Sequence, residues 1–144
     1  MIEGAAALAL QLVFLEDWHW ATEEIPELPW TPVIPSSHGT PVPILPSRPA
    51  DRFETASLMI QPSIHAAHAR IWISSLYFAA YAFLESLLEA GVEGYRYEGR
   101  FLHGNAFLVD EIGAAVGTVN LDNRSFRLSF EVTAMVMDLF APVL

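Results

Sequence analysis

Residues 103–120 read His103-Gly104-Asn105-Ala106-Phe107-Leu108-Val109-Asp110-Glu111-Ile112-Gly113-Ala114-Ala115-Val116-Gly117-Thr118-Val119-Asn120. Ala106 to Val109 is a short apolar run. Asp110 and Gly113 bracket a turn, and Ala114-Ala115-Val116 returns as a second run. Two short apolar runs joined by a turn of this composition predict successive strands. Around them stand His103, Asp110, Gly117 and Asn120, the positions of this chain that carry the most information about chemistry.

Working outward, Phe130 to Met137 reads as a further apolar strand with Glu131 inside it. Val92 to Tyr97 reads as a strand, and Tyr81 to Ala90 as a helix with Phe83, Leu84, Leu87 and Leu88 on one side, ended by Gly91. Ile71-Trp72-Ile73 is β-branched and aromatic and predicts a buried strand. Asp51 to Ala69 predicts a helix capped by Asp51 and kinked or divided at Pro62. Pro26, Pro29, Pro32 and Pro35 forbid regular helix, so Glu24 to Ala50 is a connector, within which Pro41 to Leu45 reads as a short edge strand. Ala5 to Glu24 predicts a helix with Leu8, Leu12, Leu15 and His19 on one face, widened by Val13 and Trp20. The chain therefore reads as a single domain over 1–144: a helix over 1–24, a proline-rich connector over 25–50 and an α/β core over 51–144.

The 144 residues are 53% hydrophobic and carry a net charge of −10. A mean hydropathy of +0.34 is high for a soluble domain and points to surface meant for a partner, a second domain or a membrane. Gly4 to Leu15, the longest uncharged run near the start, is shorter than the ~20 apolar residues a bilayer requires. Met1-Ile2-Glu3 offers no basic start for a signal peptide. All seven basic residues are arginines, and the acidic balance argues against nucleic-acid binding. With no cysteine, thiolate and disulfide chemistry are excluded.

The spacing from His103 to Asp110 and on to Gly117-Thr118-Val119-Asn120 resembles the phospholipase D signature, H-x-K-x4-D and then, after six residues, G-[ST]-x-N. Every spacing fits, but Asn105 stands where the signature has lysine. The continuation Leu121-Asp122-Asn123-Arg124-Ser125-Phe126-Arg127-Leu128-Ser129-Phe130-Glu131 and the upstream block Gln11 to Thr22 are similar to the bacterial cardiolipin synthase branch. The resemblance is to its carboxy-terminal half. It implies an α/β, phospholipase D-like half-domain, a mixed β-sheet flanked by helices. Between Tyr77-Phe78 and Tyr81 the family has a further helix and strand, so one strand-helix unit is expected to be missing here.

The resemblance implies phosphatidyl transfer between phosphatidylglycerol molecules through a phosphohistidine, without metal or organic cofactor. His103 would be the nucleophile or its acid/base counterpart, and Asn120 would hold a phosphate oxygen. Glu131 would fix the imidazole's tautomer. Asp110 would brace the turn, and Asn105, a donor without positive charge, would stand in for the lysine. One such site needs two motifs, so a homodimer or a separate first-half domain would have to supply the second. Lacking that half, the family's membrane segments and the lysine, the isolated chain is expected to be inactive, its location the bacterial cytoplasmic membrane by resemblance alone. The rivals are a homodimeric phospholipase D-type phosphodiesterase and a non-catalytic remnant that packs on a partner or a lipid surface.

Plainer uses compete for several residues. Glu131 is equally suited to an ion pair with Arg127 or Arg124. Ser125 and Thr118 read as turn and capping residues. His65 and His68 read as a solvated helix face, not metal ligands. Trp18 and Trp20 fit core packing better than a membrane-interface anchor.

Overall fold

The computed structural model describes residues 2–33, 39–49, 51–77, 88–99 and 101–137. Helix α1 spans Ala5–Thr22 and stops at Glu23, which turns left-handed (φ 59°) and donates its N–H to the His19 carbonyl at 2.8 Å. Val13 is the one residue of α1 that is buried. Trp20 is 71% exposed and touches only the rim of the domain, its ring 5.7 Å from that of Phe130, so the core-packing expectation fails for this side chain. The helix is apolar on most sides but meets the domain along a narrow stripe beside the sheet edge, so most of its large side chains stay outside.

The connector supplies strand β1, Ile44–Ser47, which starts three residues later and ends two residues later than expected. It lies at the edge of the sheet, where a proline such as Pro46 need not donate to a second neighbour. Arg48, just past β1, pairs with Glu16 and with Asp17 (3.4 Å) and so ties α1 to the sheet. Desolvation opposes the Arg48 charge, but those two carboxylates more than offset it, and its pKa lies above the ordinary arginine value.

Helix α2, Thr55–Ala66, is shorter than predicted at both ends. Asp51 does not cap it. Its carboxylate accepts from the Arg48 N–H at 2.9 Å, and the helix enters through Glu54. Pro62 neither divides nor ends α2, because it falls in the last turns, where only one backbone bond is forfeited.

Strands β2 (Ile71–Ser74), β3 (Asn105–Val109), β4 (Gly113–Gly117) and β5 (Glu131–Met137) complete a five-stranded sheet in the order β1-β5-β4-β3-β2. The α/β half-domain expectation holds, with one refinement: the four described strand pairings are all antiparallel, where the expected sheet was mixed. The short helix α3, Asn123–Arg127, precedes β5 and is joined to α2 by Arg127 Nε and Glu54 Oε1 at 2.9 Å.

The core follows from the period-2 pattern. Phe107, Val109 and Ala115 point to one face and pack against Ile60 of α2, with Met59, Phe126 and Met135 at the margin. Ile71-Trp72-Ile73 was expected to be buried. It forms instead the edge strand β2, with Trp72 and Ile73 exposed. Val92 to Tyr97 forms no strand, and Tyr95 and Tyr97 are exposed. Without a neighbouring ladder, a short apolar segment cannot offset the entropy of becoming extended. The helix expected over Tyr81–Ala90 lies mostly outside the described residues. Its end is seen at Leu88 and Glu89, closed by Gly91 at φ 86°, whose N–H reaches the Leu88 carbonyl at 3.0 Å.

Candidate active site

Four backbone ends meet at one end of the sheet: the exit of β2, the entry of β3, the exit of β4 and the start of α3. Side-chain hydrogen bonds tie them together. Ser74 Oγ donates to the Gly104 carbonyl at 3.1 Å, and Ser75 Oγ accepts from the Leu121 N–H at 3.2 Å. Asp122 caps α3 by accepting from the Ser125 N–H at 2.7 Å, and the buried Ser125 hydroxyl accepts from the Asn120 N–H at 3.1 Å. Thr118 Oγ1 accepts from the Val132 N–H at 3.0 Å, where the β4–β5 ladder ends. Thr118 and Ser125 thus hold backbone.

Asn105 and Asn120 reach consecutive amides. Asn105 Oδ1 accepts from the Leu76 N–H at 3.2 Å, and Asn120 Oδ1 accepts from the Tyr77 N–H at 3.3 Å. Asn105 also donates through Nδ2 to the Thr118 carbonyl at 2.8 Å, so both ends of this buried amide are committed to backbone. Asn120 Nδ2 differs: among the described residues it has no hydrogen-bond partner, which leaves two N–H donors for a ligand.

His103 lies just before β3, exposed, its ring 5.8 Å from that of Phe101. The sheet pairs Asn105 with Gly117 and Gly117 with Thr133. Extended by two residues, that register sets His103, Val119 and Glu131 in one row on the face that carries Asn105. Strands lie ~4.8 Å apart, so His103 and Glu131 would be about 10 Å apart at the backbone, one strand between them. Among the described residues Glu131 makes no hydrogen bond or ion pair through its side chain, to His103 or to an arginine. Arg127 is paired with Glu54 instead.

Asp110 sits at the far end of β3, away from His103. Its backbone is left-handed (φ 46°), and its N–H donates to the Arg70 carbonyl at 2.9 Å. Its carboxylate accepts from three successive amides: His68 at 2.8 Å, Ala69 at 3.0 Å and Arg70 at 2.7 Å. These bonds, His68's first, hold the carboxyl below its ordinary pKa, against a smaller opposing effect of desolvation. A carboxyl acidified by folding stabilises the fold above its unfolded pKa, and this contribution is lost as pH falls through the folded value. Thermal melts of the native chain are therefore expected to fall below about pH 4, with part of that acid limb missing in Asp110→Asn. An identical acid limb in both proteins would contradict this role.

Under the site a cavity of about 30 Å³ is lined by Ser75, Asn105, Gly117 and Thr133 among others. It has room for one or two waters. The networks of Ser74, Ser75 and Asp122 were not read from the sequence. The one available signal was the density of serine, asparagine and aspartate where elements end.

The chain was also compared with known proteins. A family model described as cardiolipin synthase, PLD-like domain, matches residues 79–139. "Cardiolipin synthase A" of Pseudomonas aeruginosa (strain LESB58) is 37% identical over 172 residues, covering 95% of this chain and 35% of that protein. "Cardiolipin synthase A" of Pseudomonas putida (strain GB-1) is 36% identical over 172 residues, covering 95% of this chain and 36% of its own length. No solved structure matches. The antiparallel sheet with its flanking helices is thus a phospholipase D-like domain. Within that superfamily, the chain belongs with the bacterial cardiolipin synthases. It spans about a third of the length of the relatives it matches. Because 172 aligned positions face a chain of 144 residues, at least 28 positions of the relatives have no counterpart within the aligned stretch. Among the described residues no helix is long and apolar enough to cross a membrane.

Proposed function

We propose that this chain is a cardiolipin synthase-like phosphatidyltransferase module, associated with the cytoplasmic membrane, that carries one half of a two-motif site and is inactive on its own. The supporting kinship is that to the two Pseudomonas proteins named cardiolipin synthase A, along 95% of the chain. The observation behind the inactivity is the state of Asn105. A neutral amide bonded to backbone at both ends stands where the resemblance expects a cation.

In a completed site, the His103 imidazole would attack the phosphorus of phosphatidylglycerol. An N–P bond forms, the P–O bond to glycerol breaks, and a histidine of the second motif protonates the departing alkoxide. The hydroxyl of a second phosphatidylglycerol then attacks the phosphohistidine and gives its proton to that same histidine. The N–P bond breaks and cardiolipin leaves. Asn120 Nδ2 would donate to a non-bridging phosphate oxygen, and Glu131, leaning over Val119, would orient His103.

The test is turnover of radiolabelled phosphatidylglycerol in mixed micelles. The chain alone is expected to yield neither cardiolipin nor phosphatidic acid. Either product, abolished by His103→Ala, would overturn the inactivity and favour a site completed by a second copy.

A further inference from the structure

Among the described residues the sheet ends at β2, and its pairing with β3 fixes the direction of β2's free backbone groups. The Arg70 carbonyl accepts from Asp110 N–H, so Arg70 faces β3. In an antiparallel ladder a residue's N–H and C=O point to the same side, and the side alternates along the strand. Trp72 and Ser74 therefore face β3, and Ile71 and Ile73 present their backbone groups to the open edge. Among the described residues no strand takes up those groups. Trp72 and Ile73 are 61% and 43% exposed there. Unpaired edges of this kind are templates for an added strand.

Two further observations say what is missing. The alignment with the relatives leaves at least 28 of their positions unmatched inside a stretch that covers 95% of this chain, so the shortfall is internal. Val92 to Tyr97 has the composition of a strand yet lies irregular and exposed, as expected of a segment whose neighbour is absent. We propose that the open edge of β2 accepts an extended segment from another polypeptide, apolar at alternate positions and equivalent to the stretch that the relatives carry and this chain lacks. The inference rests on the family membership and not on any activity of the chain.

A synthetic peptide copying the unmatched stretch of the Pseudomonas aeruginosa relative, titrated into the full chain, tests it. Binding is expected to saturate at one peptide per chain, to raise the melting temperature and to shift the emission of Trp72 to the blue, a shift absent in Trp72→Phe. Ile73→Pro removes an outward N–H while leaving the β3-facing ladder intact, and is expected to weaken binding about tenfold or more. If that variant does not fold, a peptide N-methylated at alternate residues makes the same test on the native chain. No binding, or binding indifferent to both Ile73→Pro and N-methylation, overturns the proposal. So does light scattering that shows a dimer of the chain lost in Ile73→Pro, because the edge would then be occupied by a second copy.

Discussion

Gly117→Ala is expected to destabilise the chain by about 3 kcal/mol, at the upper end of what overpacking costs. A methyl group built on Gly117 would collide with the Val132 carbonyl and lie 2.7 Å from Thr133 Oγ1 and 2.8 Å from Thr133 Cα. Two of these three atoms are backbone, so relief requires β5 to move away from β4, and the ladder between them holds the site end together. Trimming the side chain in Gly117→Ala/Thr133→Ala removes only one of the three collisions, and most of the loss is expected to remain. Gly104→Ala is the control: a Cβ there meets nothing within 4 Å, and the change should stay within about 0.5 kcal/mol. Urea unfolding of the three variants gives the comparison. A loss below about 1 kcal/mol for Gly117→Ala would mean that β5 moves aside readily and that this glycine is not steric in origin. Thr133 also lines the small cavity under the site, and its buried hydroxyl, without a hydrogen-bond partner among the described residues, faces a space large enough for a water.

This glycine also shows what the sequence made legible. Gly117-Thr118-Val119-Asn120 was recognisable as part of a signature, but its physical content was not: Gly117 permits β5 to approach, Thr118 caps it and Asn120 latches the exit of β2. The hairpin of β3 and β4 was legible because two apolar runs are joined by a turn of fixed composition, and β5 because Phe130 to Met137 is a mostly apolar run of strand length. Edge position was legible only where proline marks it, at β1; elsewhere it was not, since periodicity reports which face is apolar and not which neighbour is present. Ile71-Trp72-Ile73 was expected to be a buried strand and Val92 to Tyr97 a strand, but the first lies at the edge of the described sheet and the second pairs with no described strand. The same limit applies to α1, whose apolar face is broad in sequence and mostly unused in the domain. Around the signature, spacing named residues that the fold brings to one end of the sheet, Asn105 and Asn120 among them, and one, Asp110, that it sets at the other. The hydrogen bonds that commit Asn105 to structure connect positions 29 and 13 residues away, which no local pattern reveals.

Asn105→Lys, which restores the signature on paper, is expected to lower stability by about 3 kcal/mol and to restore no phosphatidylglycerol turnover. A lysine carries three donors and no acceptor, so the Leu76 N–H loses the oxygen that now holds it. An unpaired amide at a half-buried position costs about 1–3 kcal/mol. The ammonium would also enter a position where Asn105 is only 8% exposed, beside Phe107, Ala115 and Val119 in the lining of the small cavity. Desolvation of a cation without a carboxylate adds to the cost or forces the side chain outward, and either result loosens the exit of β2. Asn105→Asp separates the two halves of the amide's role. It keeps an acceptor for Leu76 and sets a carboxylate against the Thr118 carbonyl, so it too should destabilise, and more so as the carboxyl ionises. Thermal melts beside the turnover assay decide the matter. A stable Asn105→Lys that turns over phosphatidylglycerol would show a scaffold still shaped for the cation, with Asn105 a simple loss. A destabilised and silent one would show that the amide has become part of the fold, so that the chemistry could return only if the backbone at Leu76 and Thr118 were supported in another way.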